Sequence, residues 1–213
     1  MDGIIHIGGT MPRIGTTTVG LQLILFLQVM GYEAAYVEMN RQDYIWGCEN
    51  LYMDCKQDKL PGKVTIHGVD MFAKEWMAEM ISGGTHYDYI LCDYGNIHSV
   101  GFDRKGFGDC GAMVIVAGVK PNEIFATERA LRNPVFKEAA YVFSFVSEED
   151  RGEIRNMMRG KARETVFMPY TPDPFDGSHF KMRENTGCFM DIMNYVVRMG
   201  GDRDGQIQAE SDG

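Results

Sequence analysis

What most constrains this chain is a rhythm: apolar runs of strand length alternate with longer helical stretches along almost the whole sequence. Residues 4–7 read as a first strand, 16–30 as a helix apolar on nearly every face, and 34–39 as a second strand. Gly31 follows the first helix, where a left-handed C-terminal residue is wanted. Further strands are predicted over 89–92, 112–117, 140–146 and 165–168, and helices over 121–132, 148–158 and 187–199. Strands that are apolar at consecutive positions must be buried on both faces. The pattern therefore predicts an α/β fold of three layers, a mostly parallel sheet with helices on both faces. Between these elements, 64–69 is predicted to be a strand near the sheet edge, with Asp70 capping a helix that runs to Ser82. Residues 43–63 show no clear period and are predicted to form a long loop with local structure on the ligand side.

A length of 213 residues suits one domain, and a 45 % hydrophobic fraction can fill a sizeable core. The domain is predicted to span 1–199. The glycine-rich, acidic tail 200–213 is expected to be disordered. The net charge of −9 argues against broad nucleic-acid binding, so DNA binding has no support. Five cysteines occur without a C-x-x-C pair, so neither a disulfide framework nor a structural zinc site is expected. No signal peptide precedes the first strand, and the apolar run 21–30, which includes Gln22 and Gln28, is too short to span a bilayer. A cytoplasmic location is the expectation.

Chemistry concentrates between the first strand and the first helix, in Gly8-Gly9-Thr10-Met11-Pro12-Arg13-Ile14-Gly15-Thr16-Thr17-Thr18. Open α/β sheets bind ligands beyond the carboxyl ends of their strands. Free N–H groups at a helix start, together with the helix dipole, attract anions. Against the phosphate-loop pattern G-x-x-x-x-G-K-[ST], Gly15 fills the second glycine and Thr17 the metal-binding hydroxyl. Thr10 stands at the first glycine, and Thr16 stands where the lysine belongs. The plain alternative is a glycine-rich turn before a buried helix. Two further features favour phosphate. Tyr-Asp-Tyr-Ile-Leu-Cys-Asp (87–93) ends a strand in Asp93, where a carboxylate would hold a Mg²⁺-bound water. Glu38 and Asn40 end the second strand near the same face and are candidate catalytic groups that could orient the ion or an attacking water. The ordinary reading of Asp93 alone is a strand-end turn residue.

These segments resemble the ParA/MinD family of deviant Walker ATPases, over about residues 4–174. The family loop reads Lys-Gly-Gly-x-Gly-Lys-Thr-Thr, and here Met11, Pro12, Arg13, Ile14, Gly15, Thr16, Thr17 and Thr18 stand in its place. Val-Phe-Met-Pro-Tyr-Thr-Pro-Asp-Pro (166–174) is similar to the family's last strand and following loop, which puts Pro169 and Pro172 beside the nucleotide base. The resemblance implies the P-loop NTPase fold, ATP with Mg²⁺ held by Thr17 and Asp93, and a nucleotide-dependent homodimer acting on a protein partner. The departures are large. Both lysines are missing, at Met11 and Thr16, and the family's Asp-x-Asp becomes Glu38-Met39-Asn40. Atypical loops also mark the pilus-assembly branch named TadZ/CpaE. A lost lysine removes a charge-assisted hydrogen bond of about 1.5–3 kcal/mol, or roughly 10- to 150-fold in affinity. Arg13 is the candidate replacement. Two functions are therefore expected as alternatives: an ATP-binding switch with slow or absent hydrolysis that regulates or positions a partner assembly, and a pseudo-ATPase scaffold that no longer binds nucleotide.

Other features carry less. Arg151, Arg155 and Arg159 recur every four residues on a predicted helix, but acidic residues intersperse them, so a solvated face is expected. The apolar positions of the last helix read as core packing rather than a membrane anchor, since an acidic tail follows. The five histidines show no ligand spacing, and the sixteen methionines suggest adaptable packing.

Overall fold

The computed structural model describes residues 3–52, 56–57, 62–82, 86–109, 111–181 and 186–211. Side chains at 56, 57, 179, 181 and 200–211 lie outside that description. A first strand, β1 (Gly3–Gly9), leads into α1 (Thr16–Val29) and then β2 (Ala34–Glu38). After α2 (Tyr44–Leu51) come three short strands, β3 (Lys56–Gln57), β4 (Lys63–Ile66) and β5 (Val69–Ala73), and the helix α3 (Met77–Ser82). Next follow β6 (Tyr89–Asn96), α4 (Arg104–Asp109), β7 (Ala112–Ala117), α5 (Pro121–Leu131), β8 (Ala140–Ser144), α6 (Arg151–Met158), β9 (Thr165–Met168) and α7 (Gly187–Ser211).

All nine strands join one sheet in the order β3-β4-β5-β2-β6-β1-β7-β8-β9. The six strands from β2 to β9, and β5 beside them, pair in parallel, while β3, β4 and β5 pair antiparallel among themselves. The double-sided burial read from the sequence is visible along β7. Ala112, Val114 and Val116 enter one core with α1 and α7, and Met113, Ile115 and Ala117 enter the other with α4, α5 and α6. The three-layer α/β, P-loop NTPase-like expectation is what the chain adopts.

Differences from the sequence expectations are local. Residues 64–69 and Asp70 form a hairpin of two strands, not one strand and a helix cap. His67 and Gly68 both have positive φ, 49° and 81°, which gives a tight two-residue turn. Asp70 is then a strand residue whose carboxylate accepts from Thr65 and Tyr87 and pairs with Lys63. The long loop contains α2 and β3, the local structure it was expected to hold. The backbone of α7 continues as helix past Met199. Phe189, Ile192, Met193, Tyr195 and Val196 pack its first half, and each further residue of a nucleated helix adds a hydrogen bond. Cys48 and Cys92 are buried and Cys188 is half-buried, and Cys55 and Cys110 lie outside the described residues. No helix among the described residues is long and apolar enough to cross a membrane.

Candidate functional site

The loop after β1 meets α1 at Gly15, a left-handed N-cap (φ 97°) that supplies no side chain to the helix start. The first bond into the helix body is Val19 N–H to the Gly15 carbonyl. The N–H groups of Thr16, Thr17 and Thr18 therefore have no partner within the helix, and no acidic residue stands in its first turn. The residues that carry them line a cleft of about 230 Å³ together with Met11, Pro12, Arg13, Gly15, Gln42, Gly95 and Asn96. A cleft of that size suits a phosphate chain. Sequence reasoning missed Gln42, Gly95 and Asn96, because they reach the loop only through the pairing of β6 with β1 and β2.

Each loop residue has a distinct place. Thr10 is buried, its N–H donates to the Val116 carbonyl, and its hydroxyl has no partner among the described residues. Met11 reaches α5, where the Asn122 amide lies 3.5 Å from its sulfur. Ile14 packs against the core. Thr16 is buried, with its hydroxyl close against Gly9, and does not reach outward as a lysine would. Arg13 is exposed on the cleft wall and makes no ion pair among the described residues. Its φ is 60°, a left-handed conformation at the position the resembling pattern fills with glycine. Such a conformation costs a side-chain-bearing residue about 1 kcal/mol. Arg13→Gly should therefore raise stability by about 1 kcal/mol while weakening binding of tripolyphosphate. Chemical denaturation and calorimetry on the one variant check both halves.

Behind the loop lies Asp93, fully buried on β6. Its Oδ2 accepts from the Thr17 hydroxyl at 2.8 Å and the Tyr36 hydroxyl at 2.7 Å, and its Oδ1 accepts from the Gly95 N–H at 2.8 Å. Burial pushes the Asp93 carboxyl above its ordinary value, and the three donors oppose that shift. The structure brings together Thr17 and Asp93, the two residues the sequence reading assigned to one metal ion. Thr17 donates its proton to Asp93 and lines the cleft, so the pair fits a hydrated Mg²⁺ beside phosphate. Among the described residues no group of three His, Cys, Asp or Glu side chains forms a protein-only metal cage.

Glu38 and Asn40 are placed otherwise than as free catalytic groups. Glu38 is buried, and its two oxygens accept the N–H groups of Tyr44 and Ile45 at 2.8 and 3.1 Å, capping α2. Asn40 donates to the Asp93 carbonyl at 3.1 Å and accepts from the Gln42 N–H at 2.9 Å, which shapes the cleft's far wall. Burial raises the Glu38 carboxyl above its ordinary value despite the two N–H donors. A raised folded value means the native state holds this proton more tightly than the unfolded chain. Glu38 thus contributes stability that is present below the ordinary carboxylate range and lost as pH climbs through the raised value. Glu38→Gln should remove that component. Urea midpoints measured from about pH 4 to pH 7 should fall less steeply in the variant than in the parent.

The loop after β9 is fixed from α1. Gln22, buried in the helix, donates from its amide to the carbonyls of Pro174 and Asp176 at 2.8 and 3.1 Å. Pro172 is exposed on this loop, and Pro169 lines a separate cleft with Arg151, Arg155, Phe167 and Cys188. Neither proline lines the cleft at the phosphate loop. At this end of the sheet two rings stand out of the surface. Phe145 and Tyr170 are 66 % and 62 % exposed, and their centroids are 4.6 Å apart. Phe145 has a φ of 63°, an uncommon conformation for an aromatic residue. No sequence pattern pointed to this pair, because its members are 25 residues apart and meet only where β8 and β9 end side by side.

The arginine stripe is not a purely solvated face. The guanidinium groups of Arg151 and Arg155 lie over the Phe167 ring, 5.5 and 4.9 Å from its centroid. They cover the ring of Phe167 on β9, the outer strand of the sheet. Arg159 instead closes α6 with a φ of 49°.

Sheet order, loop and buried Asp93 together define an α/β protein with the fold of the MinD and ParA ATPases. Among solved structures, a chain of the MinC:MinD cell division protein complex of Aquifex aeolicus aligns with a TM-score of 0.65 at 16 % identity, covering 93 % of this chain and 96 % of that one. The MinD cell division protein of the same organism aligns at 0.62 and 18 %, covering 93 % and 97 %. A ParA family ATPase from Chlorobium tepidum TLS aligns at 0.51 and 10 %, covering 95 % and 98 %. No protein-family model and no curated protein sequence matches the chain.

Proposed function

We propose that this protein is a nucleotide-binding switch of the ParA/MinD type, taking ATP with Mg²⁺ at residues 10–18 and regulating or positioning a partner assembly. The observation that carries the reading is the uncapped start of α1, with Thr17 hydrogen bonded to the buried Asp93. The phosphates would lie on the N–H groups of Thr16, Thr17 and Thr18, beside Arg13. The ion would meet the Thr17 oxygen and, through water, Asp93, and its role there is to neutralise phosphate charge. The base would point toward the loop carrying Pro169 and Pro172, where Phe145 and Tyr170 offer ring faces. They end strands two and three positions from β1, so about 10 and 14 Å away at ~4.8 Å per strand. That distance is comparable with the reach of an extended nucleotide.

Hydrolysis should be slow, because transition-state charge would lack both lysines and Glu38 is engaged as a helix cap. Thr16→Lys should raise turnover by about tenfold or more if the loop is otherwise competent, as phosphate release would report. A homodimer through the ligand face is consistent with exposed Trp46, Val100 and Phe125, which follow the carboxyl ends of β2, β6 and β7. Sedimentation with and without ATP tests it.

One observation favours the scaffold alternative: Thr16 is tucked against Gly9 and offers no cation. Calorimetric titration of ATP and ADP, with and without Mg²⁺, separates the two. Saturable heat at one site per chain supports the switch. No heat and no thermal shift at millimolar nucleotide supports the scaffold.

A further inference from the structure

We propose that Tyr36 is a positioning residue that sets how much Mg²⁺ contributes to nucleotide binding at this site. The inference rests on the nucleotide reading of the cleft. A carboxylate offers about four lone-pair positions. Three of those on Asp93 are taken by donors built into the chain, two of them, from Thr17 and Tyr36, on the same oxygen. Tyr36 is itself fully buried, on the strand beside Asp93, where Glu38 is the register partner of Asp93. Its ring lies beside Gly20 of α1, and a Cβ added there would come within 3.6 Å of it. Burial and the adjacent carboxylate hold the phenol well above its ordinary pKa, so it stays a neutral donor.

A hydrated cation seated on Thr17 would offer its water O–H groups to Asp93. Here Tyr36 already supplies one such hydrogen bond from inside the sheet, to the oxygen that Thr17 also uses. The buried charge is therefore largely satisfied before any ion arrives. Removing the phenol hydroxyl would leave a buried carboxylate short of a donor, which is costly unless a new donor comes in. The water of a bound ion is that donor. Tyr36 thus makes the site tolerant of metal-free nucleotide, and the variant Tyr36→Phe makes it dependent on the metal.

The test is the ratio of ATP affinities measured by calorimetry in millimolar Mg²⁺ and in EDTA, for the parent and Tyr36→Phe. Mg²⁺ should improve the parent's affinity by less than about threefold and the variant's by about tenfold or more, the scale of one hydrogen bond to a charged group. A purely structural role for Tyr36 would weaken both affinities together and leave the ratio unchanged, which overturns the proposal. A parent affinity that Mg²⁺ raises about a hundredfold overturns it without any variant, so a misfolded Tyr36→Phe does not protect it. ATP binding to the parent in neither buffer overturns the nucleotide reading itself. Binding in both with equal ratios overturns only the role of Tyr36.

Discussion

Replacing Phe145 and Tyr170 together by alanine is expected to weaken ATP binding by at least about tenfold, since stacking one base on an aromatic side chain is worth ~1–3 kcal/mol. Binding of inorganic tripolyphosphate should be unchanged. The two ligands share the phosphate chain and differ in the base, so the comparison locates the effect. Both rings are exposed and Phe145 adopts a positive φ, so their loss should cost the fold little. Equal weakening of both ligands would mean that the rings support the phosphate loop instead. No change with either would leave the pair as a surface for a protein, and dimerisation would be the next measurement.

The second large effect concerns Gly9. A Cβ at this position would lie 2.2 Å from the Thr16 hydroxyl oxygen, 2.6 Å from the Ile14 side chain and 3.2 Å from the Met11 carbonyl. Gly9→Ala should therefore destabilise the fold by about 2 kcal/mol, in the range of overpacked cores, and abolish detectable phosphate binding. Two of the three contacts are side chains of the loop, so the loop must shift as a unit. Adding Thr16→Ala should recover part of the stability, because it removes the nearest atom. Denaturant titrations on the two single variants and the double variant measure that coupling. Strict additivity would mean that the contact with Thr16 is not the source of strain.

The central strands were legible because a strand buried on both faces must be apolar at every position, and no other short element requires that. The loop between β1 and α1 was legible as the candidate site because a glycine-rich turn between such a strand and an apolar helix occupies a fixed place in an α/β sheet. What stayed hidden depended on neighbours distant in sequence. Glu38 read as a candidate catalytic group because it ends a strand, but the N–H groups of Tyr44 and Ile45 occupy it. Tyr36 read only as a strand residue, since nothing local says that its hydroxyl meets Asp93, 57 residues away. The hairpin at His67 and Gly68 was missed because Asp70 imitates a helix cap, and only the turn geometry decides between the two.

Gln22 joins two parts of the sheet's carboxyl end that the chain makes at opposite ends of its length. The helix that carries it begins at the phosphate loop, and the carbonyls it holds belong to the segment after the last strand. Local opening of either part would break the same hydrogen bonds, so the two should exchange their amide hydrogens as one cooperative unit. Anything that orders the loop around phosphate would then slow exchange near Pro174 as well, through a side chain that need not touch the ligand.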